Sequence, residues 1–299
     1  MPELPDITVY IEALEKRICG SRLKNVILQS PFLLRTADIS FDQITNKRVV
    51  ELRRIGKRIA IGFEGSYWLV FHLMIAGRFH WKSLNQKAPG KSALIIMTFD
   101  GGFLYLTEAG KMKRASLHLL QGEEKLSLQD PGGMTVDKLD LEAFSKLLIR
   151  SNHTLKRVLT DPRIFSGIGN AYSDEILHRA RLSPIKHSQK LSAEEIKRLY
   201  HATKDVLQEW TNRLRNQFGD KFPEKVTAFH PEMAVHGKYG EPCLVCQSEV
   251  QRIRYANNET NYCPRCQTNG KLLADRALSK LLKKDWPKTI EELENKKNH

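Results

Sequence analysis

"ALIIMTFDGGFLYLTE", residues 93–108, holds two apolar runs that flank Asp100-Gly101-Gly102. An apolar strand, an Asp-Gly turn and a second apolar strand make a hairpin signal, because a two-residue turn needs residues that tolerate positive φ. Upstream, short runs rich in β-branched and aromatic residues recur as RVVELRRIG (48–56), RIAIGFEG (58–65) and YWLVFHLMIAGRFHW (67–81). Many short strands at this spacing, from about residue 23 to 108, fit a sandwich or a barrel and leave the choice open. A helix precedes them: Ile7, Ile11, Leu14 and Ile18 fall at helical spacing, with Pro5 at a first helical position and Gly20 as the stop.

Downstream the pattern changes. Residues 121–140 are polar, with a proline and a glycine pair, and read as a linker. The chain then turns helical over LEAFSKLLIRS (141–151), TLKRVLTD (154–161) and NAYSDEILHRARLSP (170–184). The longest helix opens on Ser192 and Glu195 as a capping box and sets Ile196, Leu199, Val206, Leu207, Trp210 and Leu214 on one face. Residues 216–233 read as a loop. The charge-rich KKDWPKTIEELENKKNH (283–299) reads as a loosely held tail.

Lys plus Arg outnumber Asp plus Glu by 48 to 34, a formal net charge of +14. That balance favours a polyanionic partner, nucleic acid before anionic membrane. No apolar run reaches the length of about eighteen residues that a membrane helix needs, and the N-terminus lacks a signal-peptide layout, so a cytosolic or nuclear protein is expected.

Four of the five cysteines form the pattern C-x2-C-x16-C-x2-C: Cys243, Cys246, Cys263 and Cys266. Two thiolate knuckles complete a closed tetrahedral site, which fits one structural zinc ion with no position left for water. The segment between them has strand-like ends around Asn257-Asn258, so a hairpin carrying Arg252 and Arg254 is expected. His230-Pro-Glu232 with Pro242-Cys243-x-x-Cys246 echoes a zinc-deaminase signature, but nine residues between Glu232 and Pro242 leave little room for the intervening elements. The second cysteine pair also fills the position a deaminase keeps open.

Gly167 and Gly169 lie just before Asn170, which opens a helix. This is either an anion site at a helix N-terminus or an ordinary N-cap after a glycine turn. The opening MPELPDI raises a similar pair of readings. Pro2 and Pro5 could simply mark a helix entry, or removal of Met1 could free a secondary amine that attacks an aldehydic carbon and yields an iminium, with Glu3 as general acid/base.

Taken together, MPELPDI, RRIGKRIAIGF, FHLMIAGRF, TLKRVLTDPRIFSGIGNAYSDEIL, VHGKYGEPCLVC and YCPRCQ follow one another as in the formamidopyrimidine-DNA glycosylase and endonuclease VIII family, which the chain resembles over most of residues 1–267. The resemblance implies an α+β multidomain fold: an N-terminal β-sandwich with a leading helix (1–125), a helix-two-turns-helix domain (141–229), a zinc finger (233–270) and a C-terminal tail (271–299). It implies a monomeric base-excision repair glycosylase and AP lyase acting on damaged DNA bound in a cleft, with no membrane partner, in the bacterial cytoplasm at the nucleoid or in a nucleus. Pro2 would attack C1′ of the flipped nucleotide, Glu3 would handle protons, and Lys57 would grip the adjacent phosphate. His72, Lys156 and Asn170 would contact DNA as well.

The chain also departs from the family pattern. The finger position that usually carries an arginine is Asn258 here, with Arg254 as the compensating cation. The second acid is Asp6 in place of the more usual glutamate. EAGKMK (108–113) replaces DPRRFG, so Met112 becomes the wedge, and Ile75 stands where relatives often carry methionine. Residues 217–228 lack the Gly-Thr-rich pattern of 8-oxoguanine enzymes, which tilts the expectation towards oxidised pyrimidines or ring-opened bases. The competing expectation is a catalytically silent DNA-binding protein on the same scaffold.

Overall fold

Helix α1 (Leu4–Ile18) starts where the sequence sets it, with Pro5 in the first turn, where a missing N–H costs nothing. Of the expected face, Ile7, Leu14 and Ile18 are buried, while Ile11 is only partly buried and Tyr10 takes a place in the core. The structure is a computed structural model that describes residues 1–299 except 88, 111, 225, 227–228, 256–257 and 298–299. Packing divides it into two units, Met1–Gly132 with Glu209–Ala228, and Gly133–Gln208 with Phe229–His299.

In the first unit, eight strands follow α1: β1 (Leu23–Leu28), β2 (Val49–Ile55), β3 (Arg58–Phe63), β4 (Tyr67–His72), β5 (Gly77–Ser83), β6 (Ala93–Phe99), β7 (Gly102–Glu108) and β8 (Ser116–Gln121). They form two antiparallel sheets, ordered β1-β6-β7-β5 and β2-β3-β4-β8, which resolves the sandwich-or-barrel choice as a sandwich. Leu23, Phe79, Met97 and Leu104 of one sheet and Leu52, Ile61, Leu69 and Leu117 of the other share one apolar cluster with α1. Each such side chain contributes about 1.5–3 kcal/mol by leaving water.

Phe99 pairs with Gly102, so Asp100-Gly101 makes the β6–β7 turn. The Asp100 carboxylate accepts the Arg22 N–H at 2.7 Å and pairs with Lys24 at 3.0 Å, tying the turn to β1. Strand β8 lies beyond the range anticipated from sequence. Helix α2 (Glu123–Ser127) occupies part of the stretch read as linker, and Leu126 buries against Trp68 and Leu120. Residues 209–228 join this unit through Arg215–Glu12 at 2.6 Å, Arg17 Nη2 donating to Asp220 O at 2.6 Å, and buried Val226.

The second unit holds α3 (Leu141–Ile149), α4 (Leu155–Thr160), α5 (Asn170–Arg179) and the start of α6 (Ala193–Phe218), then β9 (Gln251–Tyr255), β10 (Asn258–Tyr262), α7 (Pro264–Thr268), α8 (Arg276–Leu282) and α9 (Ile290–Lys297). Asp140 caps α3 by accepting the Ala143 N–H at 2.8 Å. At α6 the capping box is present in both directions, Glu195 N–H to Ser192 Oγ at 3.2 Å and Ser192 N–H to Glu195 Oε2 at 2.9 Å. Phe144 packs on Phe165 and Tyr200 with ring centroids 5.0 and 5.4 Å apart.

The C-terminal stretch is more closely held than its composition suggests. Leu272, Leu273 and Ile290 are buried, Leu272 N–H donates to Lys288 O at 2.8 Å, and Ile290 N–H donates to Gly270 O at 2.9 Å. Charge masks this in the sequence, because the apolar side chains that fix the return, Leu272, Leu273 and Ile290, are scattered among charged ones. No helix among the described residues is long and apolar enough to cross a membrane.

Candidate active site and metal centre

The first unit gathers Pro2, Glu3, Asp6, Lys57 and Arg78 around the chain start. Pro2 and Asp6 are buried and Glu3 is 1% exposed. Asp6 Oδ2 accepts the Glu3 N–H at 2.8 Å, so the two acids hold one another in register at the mouth of α1. The other oxygen, Oδ1, is buried with no hydrogen-bond partner among the described residues. Burial pushes the Asp6 carboxyl up to about 8, with a further upward push from Glu3. Asp6 is therefore largely protonated at neutral pH.

The terminal amine, carried by Met1 in this chain, is lowered mainly by burial; Glu3 and Asp6 oppose the shift, and Arg78 and Lys57 add to it. A lowered amine is a better nucleophile near neutral pH, because more of it carries a free lone pair. Arg78 was not singled out from the sequence. Its signal was strand alternation, since β5 buries Phe79 and turns Arg78 to the other side, but nothing local shows that α1 begins there.

Lys57 follows Gly56 in the turn between β2 and β3. His72 ends β4 opposite Arg58. Burial, then the charges of Arg58, Lys57 and His118, lowers His72 to about 4, so at neutral pH it offers a neutral imidazole and no positive charge.

Like other large apolar side chains such as Phe32 and Leu128, Ile75 and Met112 are exposed, by 59% and 70%. Each sits on a braced loop. Gly77 N–H donates to Leu73 O at 2.9 Å, and Met74 is left-handed at φ 52°. A Cβ at Gly77 would overlap the Leu73 carbonyl oxygen, so only glycine closes this turn beneath Ile75. The Met112 loop closes on the Glu108 carboxylate, which accepts the Arg114 N–H at 2.9 Å and the Ala115 N–H at 3.1 Å.

In the second unit, Gly167 has φ +87° and Gly169 is the N-cap of α5. Asn170 Nδ2 donates to Glu259 O at 2.8 Å. Lys156 is largely engaged inside the unit: its Nζ donates to Asn170 O at 2.6 Å and to Asp174 Oδ1 at 2.5 Å. Asp174 Oδ2 also pairs with His236 Nδ1 at 2.8 Å and accepts the Asn261 N–H at 3.2 Å. Glu175 accepts three backbone N–H groups, from Ala234, Val235 and His236, at 2.8–2.9 Å. These two carboxylates fasten α5 to the segment that leads into the cysteines, and neither was named from sequence.

Strands β9 and β10 pair antiparallel as expected, and the turn residue Asn257 lies outside the described residues. Asn258 opens β10 and is exposed. Arg252 packs over the Tyr239 ring at 4.0 Å and pairs with Glu259 at 3.3 Å; Arg254 is more exposed and 3.8 Å from the same carboxylate.

The four cysteines converge. Cys246 and Cys263 Sγ lie 3.3 Å apart, and Cys243 and Cys266 Sγ 3.9 Å apart. Thiolates around a tetrahedral zinc at about 2.3 Å stand about 3.8 Å from one another, so the donors fit that ion. They are too far apart for disulfides. His178 of α5 joins them, with Nε2 3.4 Å from Cys243 Sγ.

Comparison with known proteins agrees with this geometry. The model of the formamidopyrimidine-DNA glycosylase N-terminal domain matches residues 1–168, that of the glycosylase H2TH domain residues 131–216, and that of a zinc finger found in FPG and IleRS residues 240–269. The chain is 31% identical over 278 residues to a formamidopyrimidine-DNA glycosylase of Heliobacterium modesticaldum, covering 89% of this chain and 100% of that protein. Against the Thermus thermophilus enzyme it is 31% identical over 282 residues, covering 90% and 100%. Among solved structures, MutM (Fpg) from Thermus thermophilus superposes with a TM-score of 0.75 at 28% identity, covering 89% of this chain and 98% of that one. The LlFpg protein complexed with THF-DNA and an inhibitor gives 0.76 at 26%, covering 89% and 100%. A sandwich with a buried N-terminal Pro-Glu, a helical domain whose helix α5 opens on Asn170 and a four-cysteine finger thus occur in one chain in the family's order, and this protein belongs to the formamidopyrimidine-DNA glycosylase family.

Proposed function

We propose that the chain excises oxidised bases from DNA and then cuts the strand through a covalent intermediate on Pro2. The observation that carries this reading is the burial of Pro2, Glu3 and Asp6 together at the chain start, where burial, then the charges of Arg78 and Lys57, already act to lower the amine that precedes Pro2.

Removal of Met1 exposes the Pro2 ring nitrogen as a secondary amine. Its lone pair attacks C1′ of the flipped nucleotide, the C1′–N bond breaks, and the bonding pair leaves with the base, which takes up a proton. The amine sheds its own proton, the C1′–O4′ bond then breaks with its pair going to O4′, which is protonated, and C1′ is left as an iminium on the proline nitrogen. The resulting iminium acidifies the C2′ hydrogens; loss of one expels the 3′ phosphate, and a second elimination expels the 5′ phosphate. Glu3 receives and returns protons at the sugar. Protonated Asp6 keeps a second negative charge away from the amine and orients Glu3 through its N–H.

Lys57 neutralises the phosphate beside the lesion. His72 acts there as a neutral hydrogen-bond donor, and Arg254 supplies the hairpin's cation. Asn170 presents the α5 N-terminus to phosphate, and Lys156, through Asp174 and the Asn170 carbonyl, holds that end in place. Ile75 and Met112 fill the gap left by the flipped base. Zinc, held by the four cysteines, supplies the cross-links that let a small finger fold. Residues 1–125, 141–229, 233–270 and 271–299 serve as catalytic, helical, finger and tail modules of a monomer that works wherever chromosomal DNA lies, in a bacterial cytoplasm or a nucleus.

Borohydride reduction on abasic-site DNA tests the reading: a stable protein–DNA adduct is expected from the processed chain. No adduct, with a control glycosylase trapped in parallel, would instead fit a catalytically silent DNA-binding protein.

A further inference from the structure

Helix α5 carries Asn170, Asp174 and His178 at i, i+4 and i+8, so the three side chains share one face. The first two bond to the finger, through Glu259 O and through His236 and Asn261. The third is 6% exposed and sets its Nε2 3.4 Å from Cys243 Sγ. The ligand atoms of His178, Cys243, Cys263 and Cys266 all lie within 4.8 Å of one another. Zinc at about 2.0–2.1 Å from imidazole nitrogen and 2.3 Å from sulfur places those atoms about 3.6 Å apart, close to the observed separation from Cys243. Cys246 completes the four-thiolate set; it and Cys266 are only partly buried, Cys246 following exposed Leu244 and Val245, whereas Cys243 and Cys263 are fully enclosed.

We propose that the finger has five zinc donors arranged as two overlapping sets: Cys243, Cys263 and Cys266 belong to both, and the fourth place is filled either by Cys246 or by His178. With Cys246 in place, His178 Nε2–H donates to the Cys243 sulfur. In its other tautomer the same nitrogen offers a lone pair, and zinc accepts nitrogen and thiolate donors alike. The inference rests on the zinc site and not on the catalytic reading of Pro2. Its consequence is a finger that keeps its metal after losing Cys246, one of its two partly buried thiolates, because the reserve donor sits on a helix already fastened by Asp174 and Glu175.

The test compares the full-length chain with Cys246→Ala, Cys263→Ala, His178→Phe and the Cys246→Ala/His178→Phe double variant. Zinc content, chelator competition, and X-ray absorption at the zinc edge are read for each. Cys246→Ala is expected to retain one zinc and to gain imidazole scattering, while Cys263→Ala loses the metal although His178 is intact. The double variant is expected to bind zinc more weakly than Cys246→Ala by more than about 100-fold. The proposal is overturned if Cys246→Ala is as metal-poor as Cys263→Ala, or if it keeps zinc without imidazole scattering. Should His178→Phe fail to fold, the contrast between the two cysteine variants, both of which keep His178, still decides.

Discussion

Asp6 and Glu175 are both carboxyl groups removed from water, one in each unit; burial pushes both upward, but their surroundings satisfy them to different degrees. Glu175 receives three backbone N–H groups, which oppose the upward push of burial on its pKa. Asp6 receives one, keeps an oxygen without a partner, and is pushed up to about 8. A buried acid whose lone pairs are filled is a fastener, whereas one left short is held in a reactive state at the expense of stability. The first pattern joins α5 to the finger, and the second stands at the start of the chain, where chemistry is proposed.

The largest effect should come from Glu3, the acid beside Asp6. Glu3→Gln is expected to slow base release and strand cleavage by roughly 10²–10⁴-fold while leaving the unfolding midpoint in place. Equal loss of fold and activity would move Glu3 to the fastener class. The converse holds for Glu175→Ala. It strands three N–H groups, two of them buried, and should destabilise the second unit by about 2 kcal/mol or more. Urea unfolding and amide exchange at residues 234–236 read this, and unchanged protection there would break the contrast.

The contrast also has a pH signature. Asp6 has a folded pKa of about 8 against 3.8 for an unperturbed carboxyl, so it favours the folded state fully below about 4. That contribution is lost as pH rises towards 8 and stays constant above it. Asp6→Asn removes the titration, so the stability gap between variant and wild type should widen in the variant's favour from pH 5 to 8. Parallel urea midpoints across that range would show that Asp6 is ionised in the folded protein.

The smallest effect concerns the hairpin. Asn258→Arg adds a cation to β10, and the slope of log affinity against log salt should steepen by about 0.9 for one new phosphate contact. An unchanged slope would place residue 258 away from the DNA backbone.

How far the sequence revealed these features depended on how local their cause was. The α1 stripe, the Asp100-Gly101 turn, the Ser192–Glu195 capping box and the cysteine spacing each rest on residues a few positions apart, and all four are present in the fold. Strand β8 was missed because SLHLLQ is short and its partner, β4, ends 44 residues earlier. Arg78 and the Asp174–Glu175 pair were missed for the same reason: their meaning comes from groups some 60 to 90 residues away, joined only by folding. The place of Lys156 in a family segment points to DNA, whereas in the fold its ammonium pairs with Asp174. The charge of the tail points to a loose end, yet Leu272, Leu273 and Ile290 hold it.

Peptide mapping of the borohydride-trapped adduct bears most directly on the proposed chemistry. The modified peptide is expected to begin at Pro2, with Met1 absent and the reduced sugar on the proline nitrogen. An adduct on a lysine, or an active enzyme whose N-terminal peptide still begins with Met1, would contradict it.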